Sequence, residues 1–423
     1  MAKKKAKVKS KAAKGNKLRA VYLSQAVTPR AYESSGDKWV NYGDGIYKNT
    51  YPQFLIEMYN NSATHRAIVD AASSYIAGKG VLIGDKVNAE VSSKLNSLFK
   101  NINNKETIEG LLNKVSKDLY LQGAFALNII YTKDKTGIAS INHIPVEKLR
   151  VGVPNDLGVV DTYWISSDWN NSRKKGFEPK PVPAFNPNNK TDNNQILYIS
   201  DYTPGLDIYG APSYSASTNW ILTDSLVSEY HYNNISTGFS PTTWINFNDG
   251  QPTEEEQMEI ERSITKKMTG VGGKKMVLTF TDEGINTPDI TNLSLPDAHE
   301  QYLALNELVI QNLMIGHRVV SPSLMGVKTE GQLGGRNELL EAFELYSRSV
   351  IQPYQDIIVK ALSKVLSAVG INAEFSIKDV SPFSNRFGVD ILKDVMTEEE
   401  IRAELGLEPL TKDEQTIEEE ANT

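Results

Sequence analysis

Residues 253–270 spell a helix whose ends are fully specified and whose apolar face is thin. Glu256 lies three residues after Thr253, a spacing at which the hydroxyl accepts from the Glu256 backbone while the carboxylate reaches back to Thr253. Acidic residues fill the first turn, Lys266 and Lys267 stand in the last, and Gly270 follows, each in the sense that complements the helix dipole. The apolar positions reduce to Ile260, Ile264 and Met268, four apart. Three such side chains bury at most about 5–8 kcal/mol of transfer free energy. A helix so well ended and so thinly faced is a strut that leans on neighbours, not the centre of a core.

A second strut follows. Asp297 and Glu300 repeat the capping logic, Leu303, Leu305, Leu308, Val309, Leu313 and Met314 supply a wider face, and Gly316 marks the end. Between the struts, Lys275–Phe280 and Ile290–Leu295 read as a small β segment. Upstream, Pro212 and Ser213 open a helix to about Tyr232, with Trp220, Leu222, Leu226 and Tyr230 as packing positions, and Thr243–Phe247 is a short strand. Downstream, Gly326, Gly331, Gly334 and Gly335 punctuate a loop that is costly to order. A long helix from about Asn337 to Val369 contains Pro353, which predicts a kink. From residue 397 onward ten acids face two bases.

In the first half, residues 20–60 read as irregular and lid-like. A helix spans about Pro52 to Gly78 with a break at Asn61-Ser62, a second spans about Val87 to Phe99, and a third ends at Gly123. Strands follow over Leu127–Tyr131, Ile141–Ile144, Lys148–Val153 and Val159–Ser166. Residues 167–194, dense in Pro, Asn and Lys, predict an exposed insertion with little core, before Ile196–Ile199 returns to strand.

The first twenty residues hold nine lysines and arginines and no acid, on a chain of formal charge −7, so the remainder carries −16. Such an arm suits a polyanion, or a solvated tail. No apolar region follows it, which argues against a secretory signal. No stretch approaches the ~18 apolar residues of a membrane span. There is no cysteine, which excludes disulfides, thiolate catalysis and cysteine-based zinc sites and fits a reducing compartment.

Motifs for catalysis fail on spacing. Thr269–Lys275 invites a phosphate-loop reading, but Met268 stands where the first glycine belongs and Lys275 where the hydroxyl belongs. The five histidines form no HExxH pair, and no GxSxG elbow or calcium loop is present. No enzymatic activity and no cofactor is expected.

The order of the second half carries a family resemblance: Tyr209-Gly-Ala-Pro-Ser213 with an aromatic helix, a capped helix, a glycine turn, a β segment and a second capped helix. The glycine loop, the long helix with Gln352-Pro353, and Met396–Arg402 with Leu405-Gly-Leu407 complete it. Over roughly residues 40–412 the chain resembles the portal proteins of tailed double-stranded DNA bacteriophages. The resemblance implies an α+β fold with a wing, a two-helix stem, a small β-containing clip, a long kinked helix and a short helical crown. Mapped here, it implies a disordered basic arm at 1–24, wing at 25–252 and stem helix 1 at 253–270. The clip would be 271–296, stem helix 2 297–317, the tunnel loop 318–336, the long wing helix 337–369, and the crown and acidic tail 370–423.

It further implies a ring, commonly of twelve subunits, at one capsid vertex of the virion, assembled in the host cytoplasm. DNA is packaged and ejected through its channel. Partners would be the major capsid protein, the large terminase, the neck or tail adaptor and double-stranded DNA, with no membrane. Ile260, Ile264 and Met268 become candidates for the seam between subunits, and Lys328 and Arg336 for contacts with DNA in the channel. Lys274, Lys275, Asp282 and Glu283 become candidates for terminase and adaptor docking. The basic arm and the short acidic tail depart from the family pattern. Two other readings stand beside it: another head–tail or capsid-associated phage protein, and a nucleic-acid-processing enzyme with a basic arm.

Overall fold

The structure, a computed structural model, describes residues 28–84, 87–190, 192–236, 242–247, 253, 255–256, 258–259, 262, 276–280, 289–293, 298–326 and 336–380. The basic arm at 1–24 and residues 381–423 of the crown and acidic tail lie outside them.

Within the segment read as lid-like, β1 (Glu33–Ser35) pairs antiparallel with β2 (Val40–Tyr42). Tyr42 is the reason that this stretch belongs to the core. Its buried ring stacks on Tyr209 at 4.4 Å, and its Oη donates to the Gly210 carbonyl at 2.7 Å. Helices α1 (Tyr51–Asn61) and α2 (Ala63–Ala77) divide where Asn61-Ser62 predicts. Ser62 takes extended backbone and its Oγ accepts from His65 N at 3.1 Å, so one residue ends the first helix and caps the second.

After β3 (Val81–Ile83) and α3 (Ala89–Lys100) comes α4 (Ile108–Gln122), which buries ten of its fifteen residues. That exceeds one amphipathic stripe, because α2 covers one side and a sheet the other. Gly123 closes the helix in the left-handed region at φ 71 and turns it into β4 (Ala124–Tyr131). β4 is the middle strand of a three-stranded sheet, antiparallel to β5 (Ile138–Ile144) and to residues 194–200.

β6 (Leu149–Val151), β7 (Thr162–Ile165) and β8 (Lys180–Pro183) form a second antiparallel sheet, and β9 (Asn194–Ser200) returns to β4. The stretch 167–194 is mostly exposed with little core, as its composition suggests, yet it is structured and anchored at one point. β8 lies within it, and Trp169 is buried edge-on to Trp39 at 5.2 Å, with the Arg150 guanidinium 4.9 Å from its ring. Pro, Asn and Lys dominate the outer residues while one large aromatic carries the packing.

In α5 (Thr218–Ser236), Trp220, Leu222 and Tyr230 are half-buried, but Leu226 is 62% exposed and Ile221 and Val227 are buried instead. β10 (Thr242–Phe247) is the middle strand of a third sheet, parallel to β11 (Met276–Phe280) and antiparallel to β12 (Asp289–Leu293). The strand that the sequence reading grouped with the wing is thus the centre of the β segment. A parallel pair needs a crossover, and the chain between β10 and β11 carries the expected capping box. The Thr253 N–H donates to Glu256 Oε2 at 2.9 Å, and the Glu256 N–H to Thr253 Oγ1 at 3.4 Å.

Helix α6 (Ala298–Gly316) is the second strut. The long helix is α7 (Arg336–Tyr346), a π-turn over Ser347–Ile351, and α8 (Gln352–Ser367). The π-turn directly precedes Pro353, which has no N–H to offer the preceding turn and crowds its carbonyl. β13 (Phe375–Ile377) then pairs with β3, joining the far end of the described chain to its first half.

At Gly123 a Cβ would lie 2.6 Å from the Ala211 carbonyl carbon, and the backbone is left-handed. Gly123→Ala is expected to lower stability by at least about 1–3 kcal/mol, read as a shift of the urea midpoint.

Candidate functional site at the base of the strut

Ile260, Ile264, Met268, Lys274, Lys275, Asp282, Glu283 and Lys328 lie outside the described residues. Arg336 opens α7, and its side chain also lies outside them. What the structure does place is the root of the second strut, where the body, α5 and α6 meet and residues 318–326 begin.

The two halves of α6 differ. From Leu303 to Leu308 only Leu305 is half-buried and the rest are exposed, with Leu303 at 54% and Leu308 at 46%. Beyond this point Val309, Leu313 and Met314 are buried, while Ile315 faces out at 66%. The helix leaves the body by its N-terminal half and is anchored by its C-terminal half. Gly316 makes the anchor possible, since a Cβ there would stand 1.9 Å from Ser217 Oγ and 2.6 Å from Ser217 Cβ.

His317 is the polar part of the anchor. Its ring lies 4.6 Å from Tyr214 and 5.7 Å from Tyr120, stacked on both, and is fully enclosed. Its Nε2 meets Nδ1 of His65 at 2.9 Å and its Nδ1 meets Tyr120 Oη at 3.0 Å. Burial pushes the His65 imidazole down to about 3, and burial together with His65 holds His317 well below the ordinary histidine range. Burial also raises the Tyr120 and Tyr214 phenols far above theirs. All four groups are neutral at pH 7.

The helix ends in a Schellman arrangement: Val319 N–H donates to Met314 O at 2.9 Å and Arg318 N–H to Ile315 O at 3.0 Å. Arg318, not glycine, takes the left-handed position, at φ 56. The following 3₁₀ turn, Pro322–Met325, buries Leu324 and Met325, and Tyr75 Oη donates to Leu324 O at 2.9 Å. Asp224 of α5 accepts from Ser62 Oγ at 2.6 Å and Thr64 Oγ1 at 3.3 Å, which ties α5 to the start of α2.

The Tyr209–Ser213 motif is a junction beside this root. Tyr209 Oη donates to Val40 O at 2.6 Å and accepts from Val151 N at 3.0 Å, linking the first hairpin to the second sheet. A Cβ at Gly210 would lie 2.4 Å from Gly123 O. Nearby, the fully buried Arg150 donates to Asn49 O, Asn49 Oδ1 and Leu149 O, and burial lowers its guanidinium to about 10. These are fastenings, and sequence spacing could not reveal them, because apart from the Arg150 bond to Leu149 O each side-chain contact joins residues 58 to 252 positions apart. The lone signal was the Tyr209–Ser213 motif itself.

Among the described residues no group of three or more His, Asp or Glu is placed to hold a metal ion. The buried His143–Asp118 pair, at 2.7 Å, has its carboxylate also engaged by Val146 N and Gln122 Nε2, a structural use. No helix among the described residues is long and apolar enough to cross a membrane.

No family model matches the chain. Its fold matches the neck of an empty gene transfer agent (GTA) particle computed with C6 symmetry, at a TM-score of 0.53 and 16% identity, covering 84% of this chain and 93% of that one. It also matches the neck of the native GTA particle computed with C12 symmetry, at a TM-score of 0.52 and 16% identity, covering 85% and 95%. The chain therefore shares its fold with a component of these GTA necks. In sequence the chain is similar to the probable portal protein of Haemophilus phage HP1 (strain HP1c1), 23% identical over 176 residues, 41% of this chain and 50% of the relative. The chain matches about half the length of that relative. The resemblance to phage portal proteins thus has support from both sequence and fold.

Gly316→Ala is expected to destabilise the base of the strut by about 1–3 kcal/mol through overpacking. Ser217→Gly, which removes both crowding atoms, is expected to recover part of that loss in a double-mutant cycle followed by urea unfolding.

Proposed function

We propose that the chain is the portal subunit of a tailed phage or phage-like particle: a non-enzymatic ring at one capsid vertex through which double-stranded DNA enters and leaves. The observation that carries this reading is the likeness in fold, over more than four-fifths of the chain, to neck structures computed with C6 and C12 symmetry. The 176-residue match to a probable portal protein supports it. Twelve copies is the ring size that the C12 neck favours.

In this reading residues 25–252 are the wing, 253–270 and 297–317 the stem, 271–296 the clip, 318–336 the tunnel loop, 337–369 the long wing helix, and 370–423 the crown and tail. β10 joins the clip sheet from the end of the wing. Helix α6 supports the ring, because Leu303, Leu308 and Ile315 face out of a single subunit and a neighbouring copy would cover them. Ile260, Ile264 and Met268 would add to the same seam from stem helix 1. Lys274, Lys275, Asp282 and Glu283, in the clip, would meet first the terminase and then the adaptor.

The charge balance suits a conduit. A chain carrying −16 outside its arm would not grip a moving duplex, since each neutralised phosphate adds to affinity. Lys328 and Arg336, on and beside the tunnel loop, would guide the duplex. The basic arms, repeated around a ring, would tether DNA, scaffold or the inner capsid surface by avidity.

Electron microscopy of the purified full chain tests the reading: rings with an axial channel are expected, and monomers at micromolar concentration would overturn it. The pair Leu308→Asp with Ile315→Asp is expected to raise the concentration needed for assembly by roughly tenfold or more, equivalent to ~1.4 kcal/mol. The subunit itself should shift by under about 1 kcal/mol, because both sites are exposed in it. Native mass spectrometry beside urea unfolding separates the two effects.

A further inference from the structure

Two buried histidines facing each other through ring nitrogens can share only one N–H between them. Either His317 donates to His65 or the reverse, and in both arrangements His65 Nε2 is left buried without a partner. A single added proton leaves the hydrogen bond in place but buries a charge, and a second sets two N–H groups face to face and breaks it. The contact spans two parts of the fold: His65 sits in the first turn of α2, and His317 is the residue that follows α6.

We propose that the His65–His317 contact is an acid-releasable clasp, which holds the C-terminal end of α6, and with it the start of the 318–336 segment, against the body and lets go when the pair takes up protons. The inference goes beyond the assembly reading and does not rest on it.

The surroundings offer an added proton no counter-charge. From α2, Ser62 faces the pair's neighbourhood with its hydroxyl already given to Asp224. Tyr120 faces it from α4, and Tyr214 from the turn before α5. On the far side, Tyr346 and Tyr354 act on Tyr120 from the end of α7 and from α8. Arg318 brings a positive charge to bear on Tyr120, Tyr346 and Tyr354. The carboxylates on adjoining elements are engaged elsewhere, Asp224 with Ser62 and Thr64, and Asp201 within the field of Arg318. The amino end of the α2 dipole also opposes a positive His65.

The sign follows from burial. Both rings titrate far below the ordinary histidine range while enclosed and return to about 6.5 once exposed. Opening therefore takes up protons. The clasp is shut above about pH 6.5 and weakens progressively as the pH falls from there toward 3. Release is local because the anchor is small. Among the described side chains of α6 those buried are Val309, Leu313 and Met314, whereas α4 is buried over ten residues and held by α2 and β4.

Hydrogen exchange on the full chain between pH 7.5 and 5, corrected for intrinsic rates, tests the clasp. Amides of 309–319 are expected to lose protection ahead of those of 108–122. Their opening equilibrium should rise toward ~100-fold per pH unit for two protons taken up, each proton contributing ~10-fold. In His65→Gln, which keeps a donor and an acceptor opposite His317, the slope should fall to about one proton's worth. Loss of protection in both segments together in the wild type would overturn the proposal, as would an unchanged slope in the variant. If His65→Gln does not fold, the wild-type comparison decides alone.

Discussion

The body is organised by the polar side chains of a helix that is buried on nearly every side. A helix in that position shields its polar groups from water, and two of them, Asp118 and Tyr120, find partners on other elements. Asp118 takes His143 from β5 and the backbone of Val146, and Tyr120 takes His317 at the end of the strut. The apolar faces of α4 bring α2, α8 and β4 to it. Two hydrogen-bonded groups on one turn of α4 thereby locate both the sheet and the root of the projecting helix.

From that root outward the balance changes. The body is closed by buried aromatics and by close backbone approaches at Gly123, Gly210 and Gly316, where nothing larger fits. Among the described side chains, the outer half of α6 has Leu303 and Leu308 in solvent and only Leu305 half-buried. The fold thus combines a closely packed body with a helix half whose apolar residues face outward. The neck assemblies it matches in fold were computed as symmetric particles.

Much of the order of elements was legible in the sequence, because it depends on local signals. Ser62, Gly123, Thr253 with Glu256, and Pro353 each act on the backbone within one turn of themselves, and each interruption falls where those residues place it. Misreadings arose where composition stood in for packing. Residues 20–60 look like loop, yet Tyr42 belongs to the core, and the mostly exposed stretch 167–194 is pinned by buried Trp169. Leu226 looks like a packing residue and faces solvent. The five histidines looked interchangeable, and two of them form the joint.

The sequence by itself determined where helices such as α2 and α4 start and stop, and that no cysteine chemistry is available. Those properties come from neighbours in the chain. Tertiary structure alone decided that β10 is the middle strand of its sheet, that Arg150 is enclosed among backbone carbonyls, and that His65 meets His317 across 252 positions. Such pairings rest on burial and on the geometry of packed layers, and neither is written in the spacing of residues along one strand or helix.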